Sequence, residues 1–309
     1  MKIVVSGGTG FIGRPLSAAL CQEGHEVILL TRRKEEAQRS CGSTVTVVEW
    51  NGREAGSWEQ CLEGVDAVVN LAGAPIAHGR WTDARKQFLT ESRVLTTRLL
   101  VDSMLRRTSK PQTLVNASGI GYYGASDDRV LDESAARGQG FLADLCLAWE
   151  AEALRAADFG LRVVLLRTGM VLEKDGGALP KMLLPFRIFA GGPILPGTQW
   201  VSWIHRHDHI GLIQWLLATA SISGPVNAVA PEAVTMNRFC QVLGRVLRRP
   251  SWLPVPGFAL HAALGEFGAL MTTGQRVNPA KALSGEYVFL YPTLEPALRA
   301  IMTDGERRA

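Results

Sequence analysis

SGGTGFIG, residues 6–13, separates a β-rich apolar run at residues 1–6 from a segment of helical spacing that begins at Arg14 and stops at Gly24. Gly7, Gly10 and Gly13 have the spacing GxxGxxG. Strand, glycine turn and helix in that order make a seat for a pyrophosphate. One glycine permits the tight bend, one lets backbone N–H groups approach an anion at the positive helix end, and one lets helix and sheet pack closely. Pro15 is tolerated there because the first helical turn has no intrahelical acceptor for its N–H groups. Empty, the same turn is only a tight connection, so its surroundings must decide.

Those surroundings alternate. Short, fully apolar strands are predicted at 26–31 (EVILLT), 44–49 (TVTVVE), 66–71 (DAVVNL), 113–117 (TLVNA) and 161–167, with helices at 82–107 and 141–157. Strand and helix in repetition imply an α/β fold: a Rossmann, doubly wound parallel sheet with helices on both faces. From Gly169 the texture changes to Gly and Pro breaks (GGALP, LLPF, GGPILPG, PVPG) with shorter helices at 237–248 and 293–301. The expected organisation is a nucleotide-binding domain over 1–168, with strand contributions from later segments. A smaller α/β lobe over 169–309, including a C-terminal domain from about 250, closes over the reactive end of the cofactor.

Composition narrows the function. The 309 residues are 47% hydrophobic and 20% charged, an ordinary globular balance. No stretch reaches the roughly 18 uninterrupted apolar residues of a membrane span, and the strand opening at Lys2 leaves no room for a leader, so a cytoplasmic location is expected. The five cysteines are widely spaced without a CxxC pair, which points to small buried hydrophobes in a reducing compartment and away from zinc. The net charge of +4 comes from arginine, in scattered pairs such as Arg106/Arg107 and Arg248/Arg249. Nothing aromatic interleaves them, so solvated faces explain them better than nucleic acid. The expected partners are a small-molecule substrate and a second copy of the chain, with neither nucleic acid nor membrane.

The second strand decides the phosphate state of the adenosine. A carboxylate at its tip would bind a ribose 2′-OH; this chain has Thr31, Arg32 and Arg33. Two guanidiniums favour a 2′-phosphate, hence NADP(H), although Glu35 and Glu36 could neutralise them as a solvated pair.

SGGTGFIG, NLAG (70–73) and NASGIGYYG (116–124) together resemble the extended and atypical short-chain dehydrogenase/reductases of the NAD-dependent epimerase group. GRW (79–81), SRVLTTRLL (92–100), GGALPKMLLPFRIFAGGPILPGTQWVSWIH (176–205), GQRVNPAKAL (274–283) and YPTLEPALR (291–299) resemble the subgroup with its own small C-terminal domain of unknown function. Its members often carry the label of cell-division inhibitor. The resemblance implies that Thr9, Gly10, Phe11 and Ile12 contact the pyrophosphate, Arg32 the 2′-phosphate, and Leu71, Ala72 and Gly73 the adenosine side. Arg93 stands where many extended members carry an asparagine. It could reach cofactor phosphate or ribose, or form a surface ion pair with Glu91 or Asp83.

The resemblance also implies a Ser, Tyr and Lys set in which tyrosine moves the proton while hydride moves at the nicotinamide. Ser118 matches the serine, though a plain strand-end hydroxyl would look the same. The following helix, GFLADLCLAWE (140–150), holds neither tyrosine nor lysine, and none of the four tyrosines begins a YxxxK. Tyr122 and Tyr123, just beyond Ser118, are the candidate acids; aromatic packing of their loop is the competing reading.

HRHDH (205–209) places three histidines on one face of an extended segment, but no further ligand for a metal is evident. Trp81, Trp200 and Trp203 could line an apolar pocket or simply pack. The expected function is an NADP(H)-dependent oxidoreductase acting on a small carbonyl, alcohol or sugar-like substrate. The alternatives are a weakly catalytic or non-catalytic NADP(H) sensor and a nucleotide-sugar epimerase.

Overall fold

KIVVS becomes β1 (Lys2–Ser6), a central strand whose Ile3, Val4 and Val5 are wholly buried. A computed structural model describes residues 1–41, 44–77 and 79–303; residues 304–309 of the expected second lobe lie outside the described residues. After β1 come α1 (Gly13–Gln22), β2 (Glu26–Thr31), α2 (Lys34–Cys41), β3 (Thr46–Glu49), β4 (Ala67–Asn70), α3 (Asp83–Leu105), β5 (Thr113–Gly119), β6 (Val130–Leu131), α4 (Phe141–Leu154) and β7 (Arg162–Thr168). The second half contains β8 (Met170–Glu173), β9 (Gly176–Gly177), α5 (Leu179–Arg187), β10 (Trp200–Val201), β11 (Trp203–His205), α6 (Arg206–Ala218) and β12 (Gly224–Ala228). It ends with β13 (Val234–Thr235), α7 (Met236–Leu247), α8 (Gly257–Leu264), α9 (Glu266–Leu270), β14 (Arg276–Val277), α10 (Ala280–Ser284) and α11 (Leu294–Thr303).

Seven strands form one parallel sheet in the order β12-β7-β5-β4-β1-β2-β3. Both faces are covered, so the middles of its strands are continuous apolar runs rather than alternating, with polar residues gathered towards their ends. Ile3, Val5, Leu29, Val69, Val115 and Leu166 pack with Leu16 and Leu20 of α1 and Ile213 and Leu216 of α6. Their neighbours Val4, Ile28, Leu30, Val68, Leu114 and Leu165 pack with Leu100, Val101 and Met104 of α3. The chain winds from β1 through β2 to β3, then crosses back to β4 on the other side of β1. Ligands of open α/β sheets sit outside the carboxyl ends of the strands where that reversal occurs.

The chain leaves this sheet at Thr168, yet α6 and β12 return to it, β12 as the edge beside β7. The small lobe has its own core, in which Leu183 and Phe186 of α5, Phe239 and Leu243 of α7, and Leu298 and Ile301 of α11 surround a fully buried Trp203.

HRHDH corrects one expectation. His205 ends β11 and the rest opens α6, so the three histidines do not share an extended face. The His205 side chain caps the helix by accepting from His207 N at 3.0 Å. Asp208 binds the C-terminal segment, accepting from Leu290 N and Tyr291 N at 2.8 and 2.9 Å. His209 is wholly buried beside Thr168, and burial pushes its pKa down to about 4, so it is neutral. Among the described residues no group of three His, Cys, Asp or Glu is placed to hold a metal, and no helix is long and apolar enough to cross a membrane. The cysteines are free; Cys146 and Cys240 are buried, while Cys21, Cys41 and Cys61 are half-buried rather than core residues.

Candidate functional site

The glycine turn closes on itself through Gly10 N donating to Gly7 O at 3.0 Å. Gly7 has φ +70°, and a Cβ there would stand 2.7 Å from Leu71 O, so the turn lies directly against the chain leaving β4. A Cβ on Gly13 would meet Gly7 O at 2.3 Å and Gly8 Cα at 2.6 Å; this is the close helix contact that the spacing implied. Thr9, Gly10, Phe11 and Ile12 remain accessible at the carboxyl edge. The Phe11 ring packs against Gly176 and Gly177 and faces the Arg206 guanidinium, so its side chain ties β9 to the turn.

Helix α1 has no side-chain cap, its N-cap being Ile12, and no acid in its first turn. Such ends leave unpaired N–H groups and a partial positive charge, which a bound anion satisfies. The residues present therefore fit a diphosphate. At the tip of β2, Thr31 is buried and its hydroxyl accepts from Arg33 N at 3.2 Å. Arg33 pairs with Glu36 at 2.8 Å, while exposed Arg32 has no ion pair among the described residues. On the other side of the turn Leu71 N donates to Ser6 O, and Ala72 N to Asn70 Oδ1.

Beneath these loops lies a buried polar floor. Asn70 Nδ2 donates to Asn116 Oδ1 at 2.6 Å and to Thr97 Oγ1 at 2.9 Å; Ser6 Oγ donates to Asn70 Oδ1 at 2.5 Å. The asparagines of NLAG and NASG thus lock neighbouring strand ends together.

Arg93 is not a surface ion-pairing residue. It is only 6% exposed, donates to Ala74 O at 2.8 Å and to Leu89 O at 3.2 Å, and lies under Gly73 and against the Trp149 ring. No carboxylate pairs with it among the described residues, and its Nε has no acceptor. Burial lowers its pKa to about 10, which leaves it charged at neutral pH. The alternative of a pair with Glu91 fails because Glu91 instead accepts from Gln87.

A second group occupies the end of β5. The Ser118 hydroxyl donates to Glu150 Oε1 at 2.6 Å. Arg167 grips both oxygens of Glu150, at 2.9 and 2.8 Å, and donates onward to the Tyr123 hydroxyl at 3.1 Å. Tyr123 in turn donates to Asn227 Oδ1 at 2.7 Å. Burial pulls the Arg167 guanidinium down, but the bonds and charge of Glu150 outweigh it and hold the group above the usual arginine range. Burial pushes the Tyr123 phenol up despite Arg167. Tyr122 lies flat against Arg167, its ring centroid 3.4 Å from the guanidinium carbon, and is only half-buried.

Glu150 and Arg167 were not among the sequence candidates. A signal existed: a charged residue closing the apolar strand RVVLLRT needs a buried partner. On α4, one and two turns before Glu150, stand Cys146 and Leu142. Leu142 abuts Gly121, and Cys146 donates to Gly119 O at 3.6 Å. Burial, then the charge of Glu150, pushes the Cys146 thiol up to about 11, so it is not a nucleophile at neutral pH. Trp81 packs between Phe141 and Phe267, Trp203 is core, and Trp200 is half-buried with its indole N–H on Asp128.

Comparison with known proteins agrees with this fold. The NAD dependent epimerase/dehydratase family matches residues 3–228, and a domain of unknown function, DUF1731, matches residues 255–301. The chain is 43% identical over 307 residues to the epimerase family protein SDR39U1 homolog, chloroplastic, of Arabidopsis thaliana, covering 98% of this chain and 87% of that one. It is 40% identical over 305 residues to the epimerase family protein YfhF of Bacillus subtilis, covering 98% and 99%. Human epimerase family protein SDR39U1, isoform 2, whose crystal structure is with NADPH, superposes with a TM-score of 0.88 at 34% identity over 98% of this chain and 100% of that one. UDP-glucuronic acid 4-epimerase from Bacillus cereus, at 17% identity and a TM-score of 0.79, shares the fold alone. With its glycine turn, its strand order and a family match over most of its length, the chain belongs to the NAD dependent epimerase/dehydratase family and carries a DUF1731 domain on residues 255–301.

Proposed function

We propose that the protein binds NADP(H) across the β1/β4 crevice and is an oxidoreductase moving hydride to or from a small carbonyl, alcohol or sugar-like substrate. The observation that carries the cofactor is the uncapped, acid-free start of α1 behind the glycine turn, at the point where the strand order reverses. Exposed Arg32, without an ion pair among the described residues, favours the 2′-phosphate, and the human relative, a similar chain, was solved with NADPH. When bound, the reduced cofactor would supply the hydride and the oxidised cofactor would accept it.

The chain's own groups limit how a proton can move. Glu150, gripped by Arg167, is an acceptor only, so the hydrogen of the Ser118 hydroxyl is turned to it and Ser118 offers a ligand its lone pairs. The Tyr123 hydroxyl is already in use on both sides. Tyr122 or water is left to supply the proton. That same arrangement, with Leu142 and Cys146 on the helix where YxxxK is expected, favours the second reading, an NADP(H) sensor with little or no turnover. Absorbance at the reduced-nicotinamide band separates them: bleaching with members of a carbonyl panel supports the enzyme, and a stable band across the panel supports the sensor.

Two substitutions test the cofactor contacts. Arg32→Ala should weaken NADPH by about 1.5–3 kcal/mol, roughly 10- to 150-fold, and leave NADH nearly unchanged. Equal losses for both dinucleotides would place the 2′-phosphate elsewhere. Arg93→Met removes a buried charge that has no counter-ion among the described residues, so folding stability without ligand should stay within about 1 kcal/mol of wild type. NADPH affinity should fall about tenfold, because an anion held in the crevice is the natural partner of that charge. Lost stability with unchanged NADPH affinity would make Arg93 a loop clamp only.

A further inference from the structure

A cleft of about 420 Å³ opens between the loop that follows Tyr123 and the small-lobe segments around Gln199 and Thr273. Its size is in the ordinary range for a small-molecule site. The hydrogen-bonding character of its lining is one-sided. The Thr272 hydroxyl donates to Ala269 O at 2.7 Å and the Thr273 hydroxyl to Leu270 O at 3.0 Å. Trp200 Nε1 donates to Asp128 Oδ1 at 2.8 Å, and the Ser126 hydroxyl donates to Asp127 Oδ1 at 3.4 Å. With those hydrogens turned to the protein, the lining offers a ligand mostly lone pairs and carboxylate oxygens, with the Thr198 hydroxyl as the remaining side-chain donor.

Gln199 lines the same cleft and is 8% exposed. Its Nε2 donates to Ile194 O and Met271 O at 3.0 and 3.2 Å, which fixes the amide's orientation. Its Oε1 is buried and has no donor among the described residues. A buried amide oxygen in that state lacks a partner O–H or N–H. No lysine or arginine lines the cleft. The nearby cations are each held by a lining residue, Arg129 by Asp127 at 2.9 Å and Arg276 over the Trp200 ring at 4.5 Å. Phosphate recognition needs donors and positive charge, and here two carboxylates stand at the rim instead.

We propose that this cleft binds an uncharged, hydroxyl-rich small molecule of about monosaccharide size, its hydroxyls donating to Gln199 Oε1 and Asp128, and that it excludes phosphate esters and nucleoside diphosphates. Ser126 stands three residues beyond Tyr123 on one loop, so the cleft supplies the substrate class for the reading above. That role rests on the cofactor reading; the binding itself does not.

Saturation-transfer NMR on the full chain tests it, with D-glucose, D-galactose and myo-inositol as probes, the monophosphate ester of whichever binds, putrescine, and an NADPH titration on the same sample. A saturable neutral polyol, at least about tenfold weaker binding of its phosphate ester, and a loss of about tenfold in exposed Asp128→Asn with NADPH binding intact, together support the site. Absence of any polyol binding, a phosphate ester that binds as well as its parent, or binding of putrescine alone overturns it. Polyol affinity unmoved in both Asp128→Asn and Gln199→Met also overturns it. NADPH uptake without polyol uptake removes this inference and spares the cofactor reading; polyol uptake without NADPH uptake does the reverse.

Discussion

Glu150→Ala should lower folding stability by about 3–5 kcal/mol, because it strips a buried arginine, near the carboxyl end of β7, of its partner. Glu150 and Arg167 are 4% and 3% exposed, and both carboxylate oxygens are held by the guanidinium. Removing the acid leaves Arg167 charged, desolvated and without a counter-ion, and frees the Ser118 hydroxyl from its acceptor. The companion variant Glu150→Ala/Arg167→Met removes both charges, and a buried pair replaced by apolar groups is often nearly neutral. It should recover at least about 1 kcal/mol of the single variant's loss. Urea unfolding at neutral pH measures both. A single-variant loss under about 1 kcal/mol would mean that water reaches the pair.

Gly13→Val should abolish NADPH uptake, weakening it by about 100-fold or more, about 2.7 kcal/mol. The new Cβ would be 2.3 Å from Gly7 O and 2.6 Å from Gly8 Cα, and neither obstacle is a side chain that can swing away. The turn must open, and the seat for the diphosphate opens with it. Gly24→Ala is the control. Gly24 ends α1 at φ +81° with nothing within 4 Å of its absent Cβ, so the change costs about 1 kcal/mol of backbone strain and should leave NADPH affinity alone. Fluorescence titration of NADPH with both variants decides the matter; full affinity in Gly13→Val would remove the turn from the site.

The parallel sheet was legible because strands buried on both faces are written as unbroken apolar runs. EVILLT is β2 to the residue, and β1, β4, β5 and β7 lie within two residues of their expected ends. Helix α2 left no trace, since KEEAQRSC carries no apolar stripe, only the buried Ala37. Helix α6 was hidden by its polar opening, where alternate histidines imitate a strand. The glycine turn could be read because the residues that close it are local, Gly10 N bonding Gly7 O. The Ser118 group could not, because Ser118 and Glu150 are 32 residues apart and Tyr123 and Asn227 are 104 apart. Only topology brings such residues together. For Arg93 the sequence leaves a cofactor contact and a surface ion pair both open, because its helix, α3, shows no clear polar and apolar faces; the residue itself is deeply buried.

The return of β12 to the first sheet also bears on how this chain is made. A ribosome that has completed β7 must add about 60 more residues before β12 emerges. At roughly 5–20 residues per second that interval lasts about 3–12 s. Throughout it the backbone of Val164 to Thr168 has no neighbour on one side, in a strand whose centre, Val163 to Leu166, is apolar. Nascent chains crowded on one messenger could pair through that bare edge. Selection for prompt delivery of β12, or for a chaperone that shields β7 meanwhile, would then act on translation speed across residues 169–223.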